Sequence, residues 1–73
     1  MNSEQLKTLC SAVFGEHWQT DLSRRLGVSP RTLRRWANEG WPIPKGARED
    51  ILQIAKTQAH IIQMTVKAIE SGN

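Results

Sequence analysis

The chain has 73 residues, 38% of them apolar, and ten Lys and Arg against seven Asp and Glu give a net charge of +3. That length makes one small domain, spanning 1–73, whose core is marginal on size grounds. Its single cysteine, Cys10, excludes a disulfide framework, and neither His17 nor His60 has the spacing or neighbouring carboxylates of a metal ligand, so a partner subunit is the remaining source of added stability.

Residues 3–14 carry Leu6, Leu9, Cys10, Val13 and Phe14 at helical spacing, which predicts an amphipathic helix capped by Ser3 and ended by Gly15. Cys10 lies in that stripe and reads as a small buried hydrophobe. Trp18, Leu22 and Leu26 predict a second short helix over 18–26, closed by Gly27, with Val28 following as an apolar plug.

Ser29 then supplies a cap and Pro30 the favoured first helical residue, which places a third helix over 30–38, stopped by Gly40. The segment GWPIP, residues 40–44, cannot be helical throughout, because each proline disfavours helical geometry in the residue before it. It reads as a rigid, partly buried connector, with Trp41 either a lid or a surface anchor. From about Lys45 to Ser71 no proline intervenes, and the simplest reading is one helix about 40 Å long. No strand pattern, repeat or low-complexity tract is visible, so the fold class is all-α.

The basic residues are not spread evenly. Arg24, Arg25, Arg31, Arg34 and Arg35 fall within twelve residues that contain no acid. At about 100° per residue, Arg31, Arg34, Arg35 and Asn38 share one arc of the third helix, while Leu33, Trp36 and Ala37 occupy the other side. An arginine-rich helix face is ordinarily a solvated surface, but here the cap and proline expose the helix N-terminus and no carboxylate interrupts the cluster. Arg24 and Arg25 differ, since Asp21 lies three and four residues before them and offers a surface pair. Trp18 and Trp36 stand at helix-packing positions and read as core.

Residues 19–38, QTDLSRRLGVSPRTLRRWAN, resemble the twenty-residue helix-turn-helix of the phage Cro and repressor family. Leu22, Leu26, Val28, Leu33 and Trp36 stand where that motif places packing residues, Gly27 stands at its turn, and Ser23 stands where a small side chain lets the helices approach. The wider pattern RW…G…PIP followed by a long helix is similar to small phage autorepressors, including those associated with anti-CRISPR operons. The resemblance implies a helix-turn-helix at about 18–38 whose second helix enters the major groove of duplex DNA. It assigns Arg31 and Arg35 to base reading, Arg34 to a base or a phosphate at the groove edge, and Gln19, Thr20, Ser29 and Asn38 to the sugar-phosphate backbone.

The long helix, about 45–71, carries two apolar rows: Ile51, Ile54, Ile61 and Ala68 in one, and Leu52, Ala55, Ala59, Ile62, Val66 and Ile69 in the other. The second row steps by three and four, the spacing of a coiled-coil seam. Either both rows pack inside one domain or part of one is a dimer contact; a helix of this length overhangs a domain whose radius of gyration should be roughly 11 Å. Ala59, Ile62, Val66 and Ile69 are therefore the expected homodimer contact.

With no leader-like segment and no apolar run near the 18 or so residues that span a bilayer, the chain is expected to be cytoplasmic, in a bacterial or phage-infected cell, and to touch no membrane. No catalytic constellation is present, and no enzyme activity, cofactor, metal or small-molecule ligand is expected. The expected function is sequence-specific repression by a homodimer on an inverted-repeat operator, that of its own promoter among the candidates. Two rivals stand beside it. GVSPRTLRRWANEG also resembles the first module of MerR-type and excisionase proteins, which suggests an architectural DNA-binding protein, although a helix before the motif and the lack of a recognisable wing argue against that. A protein-interaction module, such as an antitoxin or adaptor using the long helix, is the other.

Overall fold

The computed structural model describes residues 1–72, which form four helices: α1 (Ser3–Phe14), α2 (Trp18–Leu26), α3 (Pro30–Asn38) and α4 (Lys45–Glu70). All four lie where the periodicity places them, and no strand occurs among the described residues. The fold class is all-α.

Local chemistry explains most of the boundaries. The α1 N-terminus differs from expectation by one residue: Asn2, not Ser3, is the cap, its side chain accepting the Gln5 N–H at 2.8 Å while Gln5 Oε1 accepts the Asn2 N–H at 3.0 Å. These two bonds form a reciprocal capping box. Ser3 is the first helical residue, and its hydroxyl donates to the Trp36 carbonyl at 2.6 Å. Gly27 ends α2 in the left-handed region, with φ 70° and ψ 26°, where a side chain would be strained. Its N–H donates to the Arg24 carbonyl and that of Val28 to the Ser23 carbonyl, the two bonds of a Schellman turn. Ser29 caps α3 as expected, accepting the Thr32 N–H at 3.1 Å.

Leu6 and Cys10 from α1, Trp18 and Leu22 from α2, Leu33, Trp36 and Ala37 from α3, and Ile51 from α4 make one buried cluster. Leu9, Phe14, Leu26, Val28 and Ile43 close over its edges. Ser23 is buried too, its hydroxyl satisfied by the Thr20 carbonyl at 2.9 Å, so the small residue at this position lets α2 approach its neighbours without leaving a polar atom unpaired. Burial pushes the Cys10 thiol up to about 11, because the thiolate would lose its hydration. α3 and α4 each pack on α1 and α2.

The domain uses only the first part of α4. Ala55 is its last buried residue, and from Ala59 through Gly72 every residue is exposed. Both apolar rows therefore contribute to the core at their N-terminal ends, through Ile51, Ile54 and Ala55, and both run out into solvent. The molecule measures 46 × 22 × 20 Å, with a radius of gyration of 13.7 Å, larger than the roughly 11 Å of a compact chain of this length. No helix among the described residues is long and apolar enough to cross a membrane.

Candidate nucleic-acid interface

The turn between α2 and α3 is short because each of its residues has one task. Gly27 reverses the chain, Val28 is half-buried at the edge of the core, and Ser29 starts the next helix. Pro30 follows in the first turn of α3, where its missing N–H leaves no bond unmade. The α3 helix then divides as its sequence requires. Leu33, Trp36 and Ala37 are buried, whereas Arg31, Arg34 and Asn38 are exposed and Arg35 is half-buried.

Exposure alone does not distinguish a binding face from a wet one; charge pairing does. Among the described residues the only ion pair is Lys7 with Glu4, at 3.2 Å on α1. The five arginines of α2 and α3 thus have no carboxylate partner there. This corrects the expected Asp21 pairing of Arg24 and Arg25. Arg25 instead places its guanidinium 5.2 Å from the centre of the Phe14 ring, and Arg24 is exposed. A half-buried ring beside a flexible cation competes well with a solvated carboxylate, whose attraction water screens.

The remaining expected contacts are distributed as follows. Gln19 is half-buried and Thr20 exposed, both in the first turn of α2, whose preceding residue His17 provides no side-chain cap. The first-turn N–H groups of α2 are therefore left without a side-chain acceptor. Ser29 is exposed, but its hydroxyl is already engaged in the cap and shares a further hydrogen bond with the Thr32 hydroxyl at 3.0 Å. Asn38 is exposed at the end of α3. Within the connector only Ile43 is partly buried against the core; Trp41 is 51% exposed, so the expected partly buried segment is mostly a surface one. Trp41 lies under Arg35, whose guanidinium is 4.6 Å from its ring centre. No local pattern marks this pair in the sequence, since a glycine and a chain reversal separate the two residues.

Residues 19–66 match the family described as MerR HTH family regulatory protein, about two thirds of the chain. The chain belongs to this MerR helix-turn-helix family. The match begins at the second residue of α2, includes the whole of α3 and the connector, and continues along most of α4. It makes the MerR-family chain a helix-turn-helix DNA-binding regulator. It does not carry the narrower likeness to the Cro and repressor group: the family matched over residues 19–66, which include the whole of 19–38, is the MerR one. The α1 helix, weighed above against a MerR-type module, lies before the matched residues and so does not tell the two groups apart. No curated protein and no solved structure gives a significant match.

Among the described residues no group of His, Cys, Asp or Glu is placed to hold a metal ion. What the helix-turn-helix does present is a cationic helix face of a width that fits the major groove, with guanidinium groups able to donate two parallel hydrogen bonds to guanine O6 and N7.

Proposed function

We propose that the chain is a sequence-specific transcriptional repressor that binds duplex DNA as a homodimer on an inverted-repeat operator. The observation that carries this reading is the exposed α3 face, on which Arg31, Arg34 and Arg35 stand opposite the buried Leu33, Trp36 and Ala37 with no carboxylate partner among the described residues. Arg31 and Arg35 read bases, one turn apart; Arg34 reads a base or holds a phosphate at the groove edge. Gln19, Thr20, Ser29 and Asn38 fix the register on the backbone. Protein and DNA meet in the cytoplasm, and no cofactor or small-molecule ligand takes part.

Dimerisation is supported by the part of α4 that the domain leaves uncovered. Ile62, Val66 and Ile69 are 45%, 47% and 65% exposed, and with Ala59 they keep the coiled-coil step. Water-exposed aliphatic side chains in a continuous row are unfavourable for a monomer, and a second copy of the same row removes them from solvent. Two recognition helices would then enter successive major grooves about 34 Å apart. Repression follows from occupancy of a promoter, the chain's own included.

Selection of binding sites from a random duplex library at near-physiological salt tests the reading. An enriched inverted repeat is expected. A single half-site would remove the dimer, and no enrichment would return the arginines to a wet or phosphate-holding face. The alternative is an architectural, excisionase-type protein, whose likeness was drawn on GVSPRTLRRWANEG, a stretch inside the residues matched to the MerR family. Sharp bending of the selected duplex without promoter repression would establish it.

A further inference from the structure

We propose that Trp41 is a positioning residue for Arg35: it holds the guanidinium in a restricted set of orientations and thereby sets sequence selectivity without reading a base itself. The inference rests on the reading of α3 as a base-reading helix.

Two independent contacts join the same pair. The Arg35 guanidinium stands over the Trp41 ring, 4.6 Å from its centre. At the main chain, the Arg35 carbonyl accepts the Glu39 N–H at 3.1 Å, as a helix requires, and also the Trp41 N–H at 3.2 Å. Gly40, with φ 70°, reverses the chain so that the second bond can form. Pro42 and Pro44 then limit the freedom of the segment that follows. The connector is thus folded back on the end of α3 at one residue, an arginine of the cationic face.

Trp41 also borders a surface cavity beside Met1, Asn2 and Ser3, but it is no part of the core. Trp18 and Trp36 supply the core and are buried, while Trp41 keeps half its surface in water. A large ring left at the surface beside a cation is the arrangement in which an aromatic face holds a guanidinium. Among the described residues no ring braces Arg31 or Arg34, and Arg25 rests on Phe14 of α1. A free arginine loses its rotamer freedom on docking into the groove; one already resting on a ring loses less, and loses it only for a base in the right place. The brace therefore favours the correct site over random duplex, whereas a loose Arg35 could reach a neighbouring phosphate as easily.

The test uses the full chain, the duplex selected by the wild type and a scrambled duplex of equal length. Trp41→Ala and Trp41→Leu are expected to lower the ratio of specific to scrambled affinity about 3- to 10-fold, while affinity for the scrambled duplex stays near the wild-type value. Trp41→Phe, which keeps a ring face, is expected to recover most of the ratio. In an Arg35→Ala background, Trp41→Ala should cost nothing further. Losses that multiply in the double variant, or an equal loss on both duplexes, would mean that Trp41 supports the fold or touches the backbone, and would overturn the inference while leaving α3 as the reading helix. A wild type with no sequence preference would overturn both.

Discussion

The hydroxyl of Ser3 donates to the main-chain carbonyl of Trp36 across 2.6 Å, joining the first residue of α1 to the residue that closes the packing face of α3. Thirty-three positions separate the two in the chain. Ser3→Ala removes the donor and leaves a partly buried carbonyl with one bond fewer, at a cost of about 1 kcal/mol in folding stability. Urea denaturation checks this. Because Ser3 bonds only the main chain of Trp36, a residue of the buried side of α3, the variant should keep the sequence preference of the wild type, and a changed preference would show that the tie sets the angle of α3.

The arginines of α3 make separable predictions. Arg31→Ala and Arg35→Ala should each cost about 1 to 3 kcal/mol of specific binding and relax the preference at one base position, a different one for each. Titration against operator variants substituted one base pair at a time distinguishes them. A loss that is uniform across all sequences would mark the residue as a phosphate contact.

For α4, the prediction concerns assembly. Ile62 is 45% exposed on the part of its row that the domain leaves uncovered, so Ile62→Glu should leave the fold intact and yield monomers in analytical ultracentrifugation. A dimer of unchanged stability would move the interface to the other row, that of Ile61 and Ala68.

Cys10 yields a pH dependence. Its folded-state value, about 11, lies above the 9.0 of an unfolded thiol. Below pH 9 both states carry the proton and stability is indifferent to this group. As pH rises from 9 towards 11 the unfolded chain releases its proton first, so the folded state binds more protons and stability falls. Thermal melts of the wild type and Cys10→Ala across that interval should converge as pH rises. At pH 8 the native thiol should react with an aromatic disulfide reagent far more slowly than in denaturant.

Much of this molecule is determined by neighbours in the chain. Gly27 ends α2 because only a residue without a side chain adopts φ 70° without strain, and Ser29 with Pro30 begins α3 through bonds that span three residues. The spacing of Leu22, Leu33 and Trp36 selects the buried faces, and with them the exposure of Arg31 and Arg34, since a helix that buries one side must present the other. These are local or periodic constraints, and the sequence carries them in full.

Tertiary structure decided what depends on residues that meet only after folding. The capping box of Asn2 with Gln5 is local, but the partner of the Ser3 hydroxyl, the Trp36 carbonyl of α3, is a tertiary one. Arg25 had Asp21 within one turn and took Phe14 of another helix. Trp41 could have packed inward as a lid, but the turn at Gly40 set it under Arg35. The periodicity of α4 is nearly continuous from Ile51 to Ile69, and nothing in it says where the core ends; the size of the three-helix platform does, and its cover stops at Ala55. Each of these outcomes turns on a distant partner, and only the packed arrangement fixes the distances that decide it.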